Sequence, residues 1–318
     1  MDFGIHIRPQ GRLAERANLI ALARRAEALD YRLIGVVDHL VLPRDVATRY
    51  PYTEDGIWPG TPTGECFDVL GTLCFLAGCT ERIGLLSSVM VVPHRPAVTA
   101  AKMLATADVL SGGRVIAGIG AGWMREEFEA LGAPPFEQRG AVTDEFLAAF
   151  RTLWADDAPA FRGDHVKFND VIFRPKPVRR RIPFWVGGES APALRRAVHF
   201  GDAWYPVSNN QQIPLDTPAR LAKGIERLHR AAEAAGRDAA SVDVAYLWFK
   251  PVTWSEQSAP DVGRILFSGS STQMIEDASA LARIGVRHLM VLLQAPTLAE
   301  SLERLQRFAE DVIPAVQR

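Results

Sequence analysis

Residues 111–132 read SGGRVIAGIGAGWMREEFEALG, and this stretch decides the fold. Its first glycines form a turn before an apolar run, which predicts a β-strand near residues 114–119. Three further glycines, spaced GxGxG, follow that strand and lead into a helix, so a ligand could approach the backbone closely and meet free helix amides. A dinucleotide-binding GxGxxG motif would need glycine where Trp123 stands, and the sequence therefore disfavours a Rossmann fold.

Outward from this segment, short apolar and β-branched runs alternate with helical patterns, which is typical of parallel βα units. Leu19 and Leu22 recur at helical spacing, and Ser270 with Gln273 predicts a capping box at a later helix start. Eight strands are predicted, the number that closes a TIM barrel. They lie near residues 3–8, 33–37, 83–92, 114–119, 184–187, 203–206, 242–249 and 288–293. The sequence therefore predicts an α/β fold, a (β/α)8 TIM barrel with extended loop insertions at its C-terminal face, in which residues 1–318 form a single domain.

Composition and charge restrict the partners of the chain. Its formal net charge of −1 gives no long-range field for capturing nucleic acid or an anionic membrane, so we expect a small-molecule partner. The cysteines, Cys66, Cys74 and Cys79, match no common zinc or redox spacing, which predicts a reduced protein without a metal site. Met1 leads directly into a strand-like run, and no run of about 18 apolar residues occurs in the sequence. We therefore expect a cytoplasmic protein that binds neither nucleic acid nor membrane.

Several predicted strands end in residues that suit a site at the mouth of the barrel, where barrel enzymes place their catalytic groups. The second strand runs into Asp38 and His39, an acceptor beside a titratable imidazole. The third ends in small hydroxyl residues around Ser88, which leave room for a flat ring. The fifth ends in VGGES, residues 186–190, where exposed amides at a helix start suit a phosphate unless Glu189 faces it. Each feature also has an ordinary structural interpretation: a satisfied histidine, a crowded strand or a plain turn.

Long connections and one basic run complete the pattern. The connections that exceed ordinary βα loops are 40–65, 155–183, 207–217 and 251–268. The first is rich in proline and carries Tyr50, Tyr52 and Trp58, so it could cover an apolar pocket or form a plain surface excursion. A basic run interleaved with prolines is typical of a solvated face, and could alternatively reach an anionic cofactor tail. It comprises Arg174, Lys176, Arg179, Arg180 and Arg181.

The segment 111–132, the Asp38–His39 pair and the run PHRPAVTAAKMLATADVLSGGR at 93–114 together resemble the luciferase-like family. Within that family the sequence most resembles the branch of bacterial oxidoreductases that use the deazaflavin coenzyme F420. The resemblance covers nearly the whole chain and is weakest over residues 207–268. It implies a barrel whose mouth binds an isoalloxazine or deazaflavin ring, so the expected cofactor is coenzyme F420, with FMN as the alternative.

The resemblance also implies which residues contact the cofactor. Asp38 and His39 would lie near the ring, and the family's non-proline cis peptide would fall at Ser88–Val89. Ring-edge and tail contacts would fall on Gly120, Ala121, Gly122, Trp123, Gly187, Gly188 and Ser190. In sugar-phosphate dehydrogenases of this family an acidic residue follows the GxGxG segment. Trp123 in that place argues against a sugar phosphate and predicts either the wall of an apolar or aromatic substrate pocket or simple core packing.

The resemblance implies an oxidoreductase in which F420H2 delivers a hydride to an electrophilic substrate while His39, as the catalytic residue, donates or accepts a proton. With FMN, the chain would instead be a monooxygenase that uses O2 and reduced flavin supplied by a separate reductase. A non-catalytic flavin-binding protein is a third alternative, because a barrel alone does not establish catalysis. Family members are commonly dimers, so we expect a homodimer here.

Overall fold

Each predicted apolar run contains a strand, although the run 83–92 is divided at Ser88–Val89 into Gly84–Ser87 and Met90–Val91, and the strands close into a parallel barrel. The computed structural model describes residues 1–10, 14–58 and 64–316. Its barrel strands are β1 (Asp2–Ile7), β2 (Leu33–Val36), β3 (Gly84–Ser87), β4 (Val115–Gly120), β5 (Phe184–Gly187), β6 (Ala203–Tyr205), β7 (Asp243–Pro251) and β8 (Val286–Leu292). Strand β8 pairs with β1, and β3 joins β4 through Leu85 and Val115, which completes the ring. The predicted (β/α)8 barrel is therefore confirmed.

Side chains that point into the barrel pack against one another below its mouth. Leu86, Tyr205 and Met290 belong to this inner cluster, and each is almost fully buried. Gly4 makes room for it, because a Cβ there would lie only 2.3 Å from the sulfur of Met290. The larger apolar core lies between the strands and the surrounding helices. The barrel is thus filled in its lower part and can hold a ligand only at its mouth.

Helices cover the outside of the barrel. They are α1 (Arg16–Ala28), α2 (Val69–Ala77), α3 (Ala97–Leu110), α4 (Arg125–Leu131), α5 (Arg139–Ala155), α6 (Ala191–Phe200), α7 (Pro218–Ala234), α8 (Ser271–Arg283), α9 (Leu298–Asp311) and α10 (Ile313–Val316). Leu19 and Leu22 are buried on α1, and Ser270 with Gln273 forms the predicted capping box before α8. Within the described residues, none of the helices is both long and apolar enough to span a bilayer.

The long connections divide between the two ends of the barrel. Those after β2, β6 and β7 leave the carboxyl ends of strands and therefore lie at the mouth. Residues 59–63 of the predicted 40–65 connection lie outside the described residues. The connection 156–183 instead runs from α5 to β5, so it lies at the opposite end, and a short hairpin forms within it at Phe161–Arg162 and Lys167–Phe168. The expectation of insertions at the C-terminal face therefore does not apply to this connection.

The basic run lies on that opposite end and is largely paired within the chain. Arg174 and Arg180 contact Asp157 at 3.2 Å and 2.7 Å. Lys176 donates a hydrogen bond of 2.6 Å to the carbonyl of Leu153, near the end of α5. No residue of the basic run lines the cavity at the barrel mouth.

Candidate active site

The carboxyl ends of the strands surround a cavity of about 500 Å³ at the mouth of the barrel. This volume lies in the range of small-molecule and cofactor sites. All eleven site residues predicted from the sequence line the cavity: Asp38, His39, Ser88, Val89, Gly120, Ala121, Gly122, Trp123, Gly187, Gly188 and Ser190. The fold therefore brings together at one place residues that are distributed over 150 positions of the chain.

Glycines on neighbouring strands leave backbone instead of side chains in one wall of the cavity. A Cβ at Gly120 would lie 2.7 Å from Cγ2 of Val89, and one at Gly187 would lie 3.3 Å from Cγ1 of the same valine. Gly122 has a φ of +89°, and a Cβ there would lie 2.6 Å from Cε2 of Phe128. A side chain would therefore clash at Gly120 and Gly122 and would fit only tightly at Gly187, and these glycines form a cradle of backbone.

A buried hydrogen-bonded chain forms the inner end of the cavity. The predicted cis peptide between Ser88 and Val89 is present. The Ser88 hydroxyl lies 3.0 Å from Nδ1 of His6 and 2.8 Å from the hydroxyl of Tyr205. Burial lowers the pKa of His6 to about 3, so its imidazole is neutral at ordinary pH. The Nε2 of His6 has no hydrogen-bond partner among the described residues.

A buried carboxylate holds His39. The Nδ1 of His39 lies 2.9 Å from Oε2 of Glu127, which stands in the first turn of α4 and is 1% exposed. The other carboxylate oxygen of Glu127, Oε1, accepts a hydrogen bond of 2.8 Å from the backbone N–H of Leu40. Burial alone would raise the pKa of Glu127, but the contacts with His39, His94 and Leu40 hold it below its ordinary value. The ionised carboxylate only accepts, so the neutral imidazole carries its proton on Nδ1 and presents a lone pair on Nε2.

A second histidine, His94, lines the same side of the cavity without a partner. Its Nδ1 lies 3.9 Å from Oε1 of Glu127, beyond hydrogen-bonding distance, and neither ring nitrogen has a partner among the described residues. Burial lowers its pKa, although the carboxylates of Glu127 and Asp38 act in the opposite direction. Buried polar atoms are normally satisfied, so these ring nitrogens are available to a water molecule or to a bound ligand.

The carboxylate of Asp38 is occupied by the protein itself. Its oxygens accept hydrogen bonds of 2.8 Å from both terminal nitrogens of Arg95 and one of 2.9 Å from the N–H of Val91. Arg95 also pairs with Asp68, and the guanidinium is buried. Asp38 therefore lines the cavity as predicted, while its charge serves to join the end of β2 to the residues after β3.

The end of the cavity near β5 is positive. Ser190 caps α6 by accepting a hydrogen bond from the N–H of Ala193, and the helix start lines the cavity. Two arginines line the same region: Arg139, and the buried Arg196, whose Nε lies 2.5 Å from Asp144. A helix N-terminus beside guanidinium groups suits a phosphate or another anion.

Glu189 does not oppose this positive end, although the sequence raised that concern. Its Oε1 accepts a hydrogen bond of 2.8 Å from the N–H of Val207, and its Oε2 accepts one of 2.7 Å from the side chain of Asn210. Burial raises the pKa of Glu189 to about 7, against the effect of these two hydrogen bonds. The carboxyl is therefore turned toward the connection after β6 and is partly protonated at neutral pH.

Four aromatic residues, Tyr50, Tyr52, Trp123 and Phe249, form part of the cavity wall. The ring of Trp123 lies 4.8 Å from that of Tyr50 and 6.2 Å from that of Trp58. Trp58 in turn lies 5.0 Å from the imidazole of His39, and Tyr52 packs 6.3 Å from Phe249. The connection after β2 thus covers an apolar pocket beside the histidine, which was one of the two interpretations of that segment.

Comparison with known proteins places this barrel in a family. The profile of the luciferase-like monooxygenases matches residues 1–306. The chain belongs to the luciferase-like monooxygenase family. An uncharacterized protein of Mycobacterium tuberculosis is 31% identical over 265 residues, which is 82% of this chain and 89% of that protein. The FMNH2-dependent dimethylsulfone monooxygenase of Pseudomonas putida is 36% identical over 138 residues, 42% of this chain and 38% of that enzyme.

Solved structures agree with the luciferase-like fold. The coenzyme F420-dependent tetrahydromethanopterin reductase of Methanopyrus kandleri superposes with a TM-score of 0.76 over 98% of each chain, at 16% identity. Identity at that level shows the fold alone. The luciferase-like monooxygenase family, to which this chain belongs, thus shares its fold with an F420-dependent reductase and its sequence with an FMNH2-dependent monooxygenase.

Sequence reasoning missed several polar residues of this luciferase-like site. Glu127 and His94 both lie inside the two segments that carry the family resemblance, yet neither was singled out. The Glu127–His39 contact spans 88 positions, so only the closed barrel makes the pair visible. His6 and Arg196 stand alone in sequence and carry no motif. Within the described parts of the chain, no group of three or more His, Cys, Asp or Glu residues could hold a metal ion.

Proposed function

We propose that the chain is an F420-dependent oxidoreductase that transfers a hydride between the deazaflavin and a small apolar or aromatic organic substrate. One observation carries the proposal: His39 is paired at 2.9 Å with the buried Glu127 in a cavity whose other walls are glycine backbone and aromatic rings. Hydride transfer to or from a polarised double bond requires a proton to move as well, and this imidazole is the group placed to carry it.

The residues of the cavity fit a flat tricyclic ring with a phosphate. Gly120, Gly122 and Gly187 form a cradle in which an added Cβ would lie 2.6–3.3 Å from a neighbouring atom. His6 and His94 each have a buried ring nitrogen without a partner among the described residues, and these atoms could contact the polar edge of a ring. The start of α6 and the two arginines beside it suit the phosphate.

The protein's part in the reaction follows from the orientation of His39. When bound, F420 would take up a hydride in its oxidised form and supply one in its reduced form. Glu127 keeps the proton of the neutral imidazole on Nδ1, so Nε2 can accept a proton from a substrate that is being oxidised. In the opposite direction the imidazolium returns that proton to the substrate. Trp58 packs on the imidazole and limits its contact with water.

The aromatic wall indicates the class of substrate. The ring of Trp123 lies 4.8 Å from that of Tyr50 and 6.2 Å from that of Trp58, by ring centroids, and Tyr50 and Trp123 line the cavity next to His39. Such a wall favours an apolar or aromatic body with one polar, reducible or oxidisable group. It offers no carboxylate at the position of Trp123, where sugar-phosphate dehydrogenases of the family carry an acid.

An FMN-dependent monooxygenase is a second candidate, and one observation favours it. The dimethylsulfone monooxygenase of Pseudomonas putida, 36% identical over 138 residues, is named for FMNH2. In this alternative the same cavity would hold the flavin, and a separate reductase would supply it in reduced form.

Titration of the purified protein with each cofactor separates the two candidates. Saturable absorbance changes with F420 and none with FMN are the expected result. Binding of FMN without F420 would overturn the proposed cofactor and favour the monooxygenase.

Replacement of His39 tests the proton role. His39→Gln should lower turnover by about 10²–10⁴-fold while the Kd for the cofactor stays within about threefold. His229→Gln, at an exposed position on α7, is the matched control and should retain full turnover. Unchanged turnover in His39→Gln would remove His39 from the mechanism.

A further inference from the structure

The inner end of the active-site cavity holds a buried histidine that lacks one of its hydrogen-bond partners. His6 lies on β1 and lines the cavity. Its Nδ1 is 3.0 Å from the hydroxyl of Ser88, which is itself 2.8 Å from that of Tyr205. Its Nε2 is buried and has no partner within residues 1–10, 14–58 and 64–316. A ring nitrogen in this situation is open to a ligand that enters the cavity.

The hydrogen-bonded chain decides whether this Nε2 donates or accepts. The hydroxyl of Tyr205 contacts only Ser88 in the described parts of the chain, so its proton goes to the Ser88 oxygen. Ser88 in turn gives its own proton to Nδ1 of His6. Any other arrangement leaves the proton of one buried hydroxyl without an acceptor, which is unfavourable. Burial and the charge of Arg8 lower the pKa of His6 to about 3, so the neutral ring carries its single proton on Nε2 and presents an N–H to the cavity.

His6 stands on the aromatic side of the cavity. Its ring meets that of Phe249 edge to face, with 5.5 Å between the ring centroids, and Phe249 lines the cavity. The guanidinium of Arg8 lies 4.8 Å from the centre of the same Phe249 ring. Arg8 makes no ion pair in the part of the chain that the structure describes, and its buried Nε has no partner there. A positive charge without a carboxylate beside an N–H donor favours a ligand atom that becomes negative during the reaction.

The cavity thus holds two imidazoles with opposite roles. His39 exchanges a proton at Nε2, whereas the neutral His6 presents an N–H at ordinary pH. No hydrogen bond or ring contact joins the two rings among the residues described. Reduction of a plain ketone adds the hydride and the proton to the two atoms of one C=O bond, so a single polar group is enough. In a conjugated carbonyl compound the hydride and the proton add to two carbons while the oxygen carries the charge, so two separate groups are needed.

We propose that His6 binds the carbonyl oxygen of a conjugated carbonyl substrate, such as an α,β-unsaturated ketone; this rests on the hydride function proposed above. The β-carbon of the substrate accepts the hydride. The electron pair of the C=C bond then moves between the α-carbon and the carbonyl carbon, and that of the C=O bond moves to the oxygen. The N–H of His6 stabilises the resulting enolate. The α-carbon takes a proton from the imidazolium of His39 and the C=O bond is restored, so the C=C bond is reduced and the deazaflavin is oxidised by two electrons.

Binding of an aromatic ketone tests the donor without turnover. The probe is benzylideneacetone with an isotope-labelled carbonyl, added to the protein alone and to the protein with oxidised F420. Equilibrium dialysis measures its affinity, and infrared spectroscopy measures its carbonyl stretching frequency. An N–H that donates to the carbonyl lowers this frequency, so we expect a lower value in the protein than in an apolar solvent. β-Methylstyrene has the same aromatic body without the carbonyl and is the matched control ligand.

Two substitutions of His6 separate the hydrogen bond from the shape of the cavity. His6→Asn keeps an amide beside Ser88 but has no atom at the place of Nε2. It should weaken binding of benzylideneacetone about tenfold, the loss of one hydrogen bond, and leave β-methylstyrene within about twofold. His6→Gln carries an N–H closer to that place and should stay within about threefold for both ligands. Tyr246→Phe on β7 removes a buried hydroxyl that bonds the carbonyl of Leu215 away from the cavity, and it should change neither affinity.

The outcomes separate this proposal from the one on which it rests. Equal weakening of both ligands by His6→Asn, or an unshifted carbonyl frequency in the unmodified protein, would overturn the role of His6 and leave the hydride function standing. A loss of F420 affinity as large as that of benzylideneacetone would assign His6 to the cofactor instead. A shifted frequency in a protein that does not bind F420 would overturn the cofactor and leave the carbonyl site standing. With reduced F420 the expected product is benzylacetone, in which only the C=C bond is reduced, and formation of the unsaturated alcohol would contradict the assignment.

Discussion

Replacing Glu127 by Gln should remove proton transfer by His39 while keeping the shape of the site. In the unmodified protein the backbone N–H of Leu40 donates a hydrogen bond of 2.8 Å to Oε1 of Glu127, and the amide oxygen of glutamine can still accept this hydrogen bond. Its amide nitrogen, however, only donates, so it forces Nδ1 of His39 to become the acceptor. The neutral imidazole then carries its proton on Nε2, and the lone pair that would take the substrate proton is lost.

The size of this effect follows from the contacts. When the imidazole keeps its position but has the wrong tautomer, the rate of the chemical step should fall by about 10²–10⁴-fold, which raises the barrier by about 3–5 kcal/mol. Stability should change much less, because a charge-assisted hydrogen bond of 2.9 Å is exchanged for a neutral one, a difference of about 1 kcal/mol. Cofactor affinity should stay within about threefold.

Single-turnover kinetics, followed by the absorbance of the bound cofactor, measures the chemical step directly. The neighbouring Glu126→Gln is the matched control, since Glu126 accepts hydrogen bonds of 2.8 Å from the N–H groups of Ala47 and Thr48 and does not contact His39. The reasoning is refuted if Glu127→Gln reacts within threefold of the unmodified protein, or if Glu126→Gln slows the reaction as much.

Three further substitutions test the cradle, the anchoring ion pair and the buried acid. Gly122→Ala should cost about 2–4 kcal/mol of stability and abolish cofactor binding. The control is Gly112→Ala, where φ is +71° and no atom lies within 4 Å of an added Cβ, so it should cost only about 1–2 kcal/mol. Equal losses of stability in the two variants would contradict the clash at Gly122. Asp38→Asn should cost about 3 kcal/mol in urea unfolding, because it leaves the guanidinium of Arg95 buried with less compensation; lost turnover at full stability would show a catalytic role instead. The pKa of Glu189 is raised to about 7 in the folded protein, whereas the unfolded chain loses this proton from about pH 4.5 upward. The contribution of Glu189 to the free energy of unfolding therefore falls as pH rises to 7. Glu189→Gln should therefore flatten the decline in unfolding free energy between pH 5 and pH 7 by up to about 3 kcal/mol, and an unaltered slope would contradict the shift.

The barrel was predictable because its signals are local. Each strand is a short apolar run whose neighbours in sequence are also its neighbours in space, as β1 with β2 through Gly4 and Leu33. The GxGxG segment was equally readable, because a positive φ at Gly122 and a close approach of Phe128 allow only glycine there. Once a barrel is assumed, strand ends must converge, and this alone groups His39 with Gly187.

Contacts that form only when the barrel closes could not be predicted from the sequence. Nothing in the sequence around His39 distinguishes Glu127 from Glu126 as its partner, since both stand in the first turn of α4. The carboxylate that faces the mouth is selected by the rotation of α4 about its axis, which depends on packing of the whole helix layer. The same holds for His6 and Ser88, which are 82 positions apart and meet only across the barrel.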